Sequence, residues 1–367
     1  MTKKLMQNEV QMKEMKYKDA ILDATREIME TDPTVYFMGQ GATGPKAIYG
    51  TVTGLRDQFG AERVMDMPLS ENALTGIAIG SAIAGMRPIL CFHRVDFFLR
   101  ALDQLINNGA KWNYMSAGKL KVPLVIRLIM GRGWGQGPQH SQALHSLFAH
   151  IPGLKVVMPA TAADAKGLLI SAVKDNNPVI FMEHRWLHET FGPVPDENRV
   201  EGIGKAKIVQ EGTDITLIAS SHMTLEAIKA AHILANDQIS VEVIDLRTIK
   251  PLDKETLIKS VRRTGRVIVA DGDWKTCGFA AEILATLTEE AFSDLKAPPV
   301  RVTYPDRNNP TSWSLANHYY PTAKMIVFEA FRLMRIPSKA QALLEELLEY
   351  RNDGPLDVPD PSLQGPF

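Results

Sequence analysis

Short, continuous apolar runs alternate along this chain with stretches whose apolar residues recur every three or four positions. The first helical stretch is 17–30, where Ala20, Ile21, Ala24 and Ile28 share one face. TVYFMGQG then reads as a strand ending at Gly39, and the alternation continues. A helix near 48–58 leads to a short strand in VMDMP, a helix after Ser70, the strand RPILCF and the helix FLRALDQLINNGAKWNYMS. The strand PLVIRLIM, a glycine-rich loop, a helix running to His150, the strand LKVVMPA, the helix TAADAKGLLISAVKDN and the strand PVIFMEH follow. Strands that are apolar throughout belong to parallel sheets covered by helices on both faces. Function in such sheets gathers at the carboxyl ends of the strands. Gly39-Gln40, Ser70-Glu71, Phe92 onward and the loop 131–142 all fall there.

FGPVPDENRVEGIGKAK is rich in proline, glycine and charge, as domain boundaries are. A second alternating set follows: ITLIAS, TLEAIKAAHILAN, ISVEVIDLR, a helix ending at Gly265, RVIVADG, a helix from Gly278 to Ala291, PVRVTYPD and PTAKMIVFEAFRLMR. The predicted organisation is a flexible arm over 1–16, an α/β domain over 17–190, a linker over 191–204, a second α/β domain over 205–336 and an extended tail over 337–367. The tail carries one helical piece, KAQALLEELLEYR.

The stretch MDMPLSENALTGIAIGSAIAG stands out. Ser70 suits a helix N-cap, and Glu71 then falls in the first turn, where a carboxylate complements the dipole. Gly76, Gly80 and Ala84 recur every four residues and share a face. That face is expected to pack closely against another helix, with Glu71 at the mouth. The apolar run breaks at Met86-Arg87 and is too short to span a bilayer.

Composition narrows the field. Over 367 residues the net charge is -1, which argues against an electrostatic nucleic-acid binder. The two cysteines, Cys91 and Cys277, offer no disulfide framework, and no cysteine–histidine spacing suits zinc. The start, MTKKLMQNEVQMKEMK, is too polar to read as a signal peptide. Cytoplasmic location without membrane contact is the expectation. In the loop GRGWGQGPQHSQ, His140 stands at a strand's carboxyl end. Two readings are open to it: proton transfer, or a plain structural role, capping the next helix or bonding a neighbouring backbone. Neither the P-loop spacing nor a dinucleotide fingerprint is present.

Taken together, MPLSENALTGIAIGSAIAGMRP, ALDQLINNGAKWNYMSAG, GPQHSQ and HIPGLKVVMPATAADAKGLLISAVKDNNPVIFMEH closely resemble the beta subunits of thiamine-diphosphate-dependent 2-oxo acid dehydrogenases, among them the pyruvate, branched-chain and acetoin members. GKAKIVQEGTDITLIAS, ISVEVIDLRTIKPLD and TGRVIVADGDWKTCGFAAEI extend the likeness, so that it covers about 16–335. The resemblance implies a transketolase-like pyrimidine-binding domain followed by a transketolase C-terminal-like domain. It implies that Glu71 bonds N1' of the cofactor's aminopyrimidine, favouring the imino form whose 4'-nitrogen can remove the thiazolium C2 proton. Phe97, with His93 nearby, would meet the aminopyrimidine, and His140 would serve acyl transfer to lipoyl. Leu124, Ala172, Asp175 and Asn177 match positions that hold a structural potassium ion; a plain helix end is the other reading of those four.

The magnesium motif is missing. Asp271-Gly272-Asp273 and Asn176-Asn177 stand in the wrong order and setting. The resemblance therefore implies a separate alpha subunit, in an α2β2 assembly, that supplies Mg2+ and the diphosphate half, with a lipoyl acyltransferase core as acceptor. Gln40 stands where the family usually has glutamate, and Phe92-His93-Arg94-Val95-Asp96-Phe97 departs from its usual Phe-Met-Thr-Phe-Asn-Phe. Gln40 and Arg94, with His140, are candidate substrate contacts. Arg94 pairs either with an anionic group on the substrate or with Asp96. An anion partner points to a two-subunit carboligase acting on an aldehyde acceptor. A catalytically silent scaffold is the third reading, which the retained Glu71 and His140 oppose.

Overall fold

The computed structural model describes residues 12–195, 202–348 and 358–359. The strands in chain order are β1 (Met12–Lys16), β2 (Val35–Gly39), β3 (Val64–Asp66), β4 (Arg87–His93), β5 (Val125–Met130), β6 (Lys155–Val157) and β7 (Val179–His184). They continue with β8 (Phe191–Pro195), β9 (Lys207–Gln210), β10 (Ile215–Ala219), β11 (Val241–Asp245), β12 (Thr248–Lys250), β13 (Val267–Trp274) and β14 (Val300–Tyr304).

The first sheet has seven strands in the order β12-β6-β7-β5-β4-β2-β3, parallel except at β12. β2, β5 and β7 are buried along their whole length, as their unbroken apolar runs require. The helices Tyr17–Thr31 and Ala162–Lys174 pack against each other over one face. The second sheet runs β14-β13-β10-β11-β9, with only β9 antiparallel. One apolar cluster passes from Phe92, Leu128 and Met182 through Met158 and Ile249 to Val261, Val269 and Leu287, so the two halves share a core.

Several expectations change. Met12–Lys16, read as part of a loose arm, pairs antiparallel with β8, inside the stretch read as linker. Residues 1–11 and most of the tail lie outside the described residues, although Pro337–Leu348 is helical as expected. The helix expected near 48–58 is a run of turns closed by the short helix Leu55–Phe59. The stretch 97–115 is not one helix. It runs as Val95–Phe98, the 3-10 turn Leu99–Ala101, a π-helical segment Gln104–Gly109 and Trp112–Met115.

The helix Glu71–Ile83 buries Glu71, Thr75, Ala78, Ile79 and Ala82, a different stripe from the glycine face. Gly76 lies against the Gln104 side chain, whereas Gly80 has open space beside it. Ser70 is the N-cap residue but makes no side-chain capping bond. The helix is therefore set by burial of its apolar stripe and not by its cap.

Candidate active site

Glu71 opens its helix almost fully buried, 4% exposed, beside the carboxyl end of β2. Gln40 Nε2, just past the end of β2, donates to Glu71 Oε1 at 3.2 Å. A glutamate at position 40 would set two carboxylates against each other; the amide instead orients one. The other oxygen, Oε2, lies 3.9 Å from the exposed Arg100 guanidinium, a pair screened by water. The turn after Gln40 is pinned to β3: the Gly41 N–H and the Thr43 hydroxyl both donate to Asp66, each at 2.9 Å. Burial would raise the Asp66 carboxyl, but these donations and that of the Met67 N–H outweigh it and lower its pKa.

His140 and Phe97 come together, ring edge to ring face, with centroids 5.1 Å apart. His140 lies in a turn, its N–H donating to Gly137 O, well before the helix His145–His150 begins. It stands outside that helix and does not cap it; its backbone N–H and C=O are both engaged within the loop and its clamp. The loop that carries it is fastened by β4's exit. Arg94 Nη1 donates to Gly131 O at 2.7 Å and to His140 O. Asp96 accepts from the Gln142 N–H at 3.2 Å and from its Nε2 at 2.8 Å. Asp96 is thus not the hydrogen-bonding partner of Arg94; both side chains clamp the glycine loop. Burial lowers the Arg94 pKa and raises that of Asp96. Gly131 has a positive φ, and a Cβ there would fall inside the His184 ring, so only glycine lets the loop leave β5 at this point.

His93 ends β4, its ring edge-on to Tyr49 at 5.8 Å, and its Nδ1 is buried without a hydrogen-bond partner. Burial, then the Arg94 charge, lowers its pKa. β7 is locked to β5 by a fully buried ion pair, Arg127 Nε to Glu183 Oε1 at 2.9 Å, with His188 Nε2 at 3.1 Å from Oε2. Burial opposes the Glu183 charge, but Arg127 and His188 overcome it and hold the carboxyl down at about 2.

The four positions matched to a potassium site carry other partners. Asp175 pairs with Lys155, and its carbonyl accepts from Arg87 Nη1 at 3.1 Å. Leu124 O accepts from Val179 N–H, and Ala172 O from Asp175 N–H. Asn177 bonds the Asp175 carboxylate. Arg87 and Lys155 thus bring two positive charges to the place the resemblance gives to a cation, so this donor set does not fit a potassium ion and no step is derived through one. Among the described residues, no group of three or more His, Cys, Asp or Glu side chains could hold a metal, and no helix is long and apolar enough to cross a membrane. Cys91 is buried and Cys277 exposed, both free.

Sequence reasoning missed several residues. The Asp271-Gly272-Asp273 string, set aside as a metal motif out of place, holds His145: its Nε2 is 2.9 Å from Asp271 and 3.9 Å from Asp273. Burial works against the imidazolium, yet the two carboxylates raise its pKa to about 9. Arg185, with Tyr49 and Trp134 around it, was also missed. The signal was present in the string EHRWLH at the carboxyl end of PVIFMEH, but nothing in it gave the neighbours.

Comparison with known families assigns both α/β domains to the transketolase type. Residues 13–189 match the family described as "Transketolase, pyrimidine binding domain", and residues 204–326 match "Transketolase, C-terminal domain". The chain is 41% identical over 324 residues to the mitochondrial pyruvate dehydrogenase E1 component subunit beta-2 of Oryza sativa subsp. japonica, covering 87% of this chain and 86% of the other. It is 41% identical over 332 residues to the acetoin:2,6-dichlorophenolindophenol oxidoreductase subunit beta of Cupriavidus necator, covering 88% and 98%. It is 40% identical over 340 residues to the 2-oxoisovalerate dehydrogenase subunit beta of Bacillus subtilis, covering 92% and 100%. A solved structure titled "Split gene transketolase, inactive beta4 tetramer" shares the fold, with a TM-score of 0.69 at 23% identity over 91% of this chain and 99% of that one. The chain belongs to the family of beta subunits of the 2-oxo acid dehydrogenase E1 components.

Proposed function

We propose that this chain works as the beta subunit of a thiamine-diphosphate-dependent 2-oxo acid dehydrogenase, decarboxylating a 2-oxo acid and passing the acyl group to the lipoyl group of a dihydrolipoyl acyltransferase. The observation that carries this reading is Glu71, a carboxylate buried at a helix mouth and oriented by the Gln40 amide. That donor set fits the ring nitrogen of an aminopyrimidine. When bound, thiamine diphosphate supplies a thiazolium ring that stabilises a carbanion at the reacting carbon. Glu71 holds a proton at the aminopyrimidine, and Gln40 keeps the carboxylate aimed. Phe97 offers an apolar surface beside it. His140, in edge contact with Phe97, is the mobile-proton group for the acyl-transfer half.

The diphosphate and its Mg2+ are assigned to an alpha subunit, in an α2β2 assembly. The exposed Leu69 and Ile77, which flank the first turn of the Glu71 helix, support a subunit contact there. The carboligase alternative rested on Arg94 reaching a substrate anion, and Arg94 Nη1 is engaged by two loop carbonyls instead. The test is to purify this chain with its alpha partner and follow reduction of an artificial electron acceptor. Reduction should require a 2-oxo acid, thiamine diphosphate, Mg2+ and both chains. A complex that reduces the acceptor no faster with any 2-oxo acid than without one overturns the reading.

A further inference from the structure

Arg185 leaves β7 at its carboxyl end, in the short 3-10 segment Arg185–Glu189. Its guanidinium lies over the Tyr49 ring at 4.3 Å and 5.9 Å from the Trp134 ring. Among the described residues Nη1 is buried and makes no hydrogen bond, while the residue as a whole is only partly buried. The carboxylates around it are already engaged. Glu189 holds Lys16 at 2.7 Å and also Lys18, and Glu183 is held by Arg127 and His188. The other charged neighbour is Arg94, of the same sign.

This cation lies on the same edge as the Glu71 site. The Tyr49 ring beneath Arg185 also meets His93, and His93 Cε1 would lie 3.8 Å from a Cβ built on Gly41, the residue after Gln40. A half-buried guanidinium whose nearby carboxylates, Glu189 and Glu183, are already paired with other cations is costly to keep. Its planar fork matches carboxylate and phosphate oxygens, and stacking on an aromatic ring leaves that fork free to face an anion.

We propose that Arg185, seated on Tyr49 with His93 and Trp134 alongside, receives an anionic group, carboxylate or phosphate, that the substrate carries in addition to its 2-oxo acid carboxylate. The proposal rests on the decarboxylase reading above and names its substrate class. It sets this chain apart from an enzyme built for a 2-oxo acid with a purely apolar tail.

The test uses the assembled complex with 2-oxoglutarate, phosphonopyruvate and the neutral-tailed 2-oxopentanoate, each assayed with an artificial electron acceptor. The native complex should favour one of the two dianionic acids over 2-oxopentanoate, and which one it favours tells carboxylate from phosphate. Arg185→Met should lower the ratio of kcat/KM for that acid over 2-oxopentanoate by roughly ten- to a hundredfold, mainly through KM. Arg185→Lys should restore part of the ratio. A native complex that prefers 2-oxopentanoate to both, or an Arg185→Met ratio equal to the native one, overturns the proposal. If no 2-oxo acid is turned over, the decarboxylase reading has failed, and titration calorimetry with glutarate and with inorganic phosphate then decides on the anion site itself. Binding that Arg185→Met abolishes supports the site, and no binding to the native complex refutes it.

Discussion

His145 Nε2 stands 2.9 Å from Asp271 Oδ1, and this contact joins the first half of the chain to the second. The pair is buried, and Ser146 donates to Asp273 beside it. With the His145 pKa raised to about 9, its stabilising contribution is complete below the ordinary imidazole value near 6.5 and is lost as pH rises through 9. The size is on the order of 3 kcal/mol. Thermal unfolding between pH 6 and 9.5 should therefore show a steeper decline for the native chain than for His145→Gln. Parallel curves would mean that the contact does not carry the pH dependence.

Glu71→Gln should leave the fold intact, since Gln40 can bond an amide as well as a carboxylate. The exchange rate of the C2 proton of bound thiamine diphosphate should fall by roughly a hundredfold or more. Proton NMR on the complex quenched in acid measures it, and exchange at the native rate would remove Glu71 from its assigned role.

His140→Ala should separate the two half-reactions. Decarboxylation with an artificial acceptor should persist, while acyl transfer to a lipoyl domain falls about a hundredfold. Equal loss in both assays would reassign His140 to holding substrate or loop.

Arg94→Met should loosen the loop 131–142, because Gly131 O and His140 O lose a charged donor. The expected cost is about 1–3 kcal/mol. Limited proteolysis should nick the loop faster, and activity should fall in parallel for all 2-oxo acids. A selective loss on dianionic substrates would return Arg94 to substrate binding.

Arg127→Met should destabilise the chain by roughly 3–5 kcal/mol, because it strands Glu183 as a buried charge. The double change Arg127→Met with Glu183→Met should recover much of that loss in chemical denaturation. Because Glu183 is held at about 2, its contribution is present above the ordinary carboxylate value and disappears as pH falls toward 2. The single variant should therefore lose less stability on acidification than the native chain.

The alternation of apolar runs made the sheets legible, and the chemistry at their carboxyl ends followed from topology. Glu71 at its helix start and His140 on the glycine loop stood out in the sequence, Phe97 entered only through the family resemblance, and the structure brings Phe97 and His140 into contact. The broken helix 97–115 was not legible, because its π-helical segment follows from packing: Gly109 meets Ile79 and Gln104 meets Gly76, contacts between distant stretches. The partners of Arg94 were hidden for the same reason. A guanidinium in sequence looks for a carboxylate, whereas here the fold offers it two carbonyls of a glycine loop. Arg185 and Tyr49 are separated by the greater part of a domain, and periodicity carries no information on such a meeting.

The edge strand Thr248–Lys250 has a consequence for the order in which the molecule is made. It pairs with Val156 and Val157, yet some sixty residues separate it from the last of the other strands in that sheet. A ribosome adding about 5–20 residues per second leaves the β6 edge open for several seconds before its cover is synthesised. During that interval an unpaired row of backbone N–H and C=O groups beside apolar valines is free to recruit another chain. The nascent first half is therefore the stage at which this sheet edge is open, and a gene cut between the two halves would leave the β6 edge without its cover.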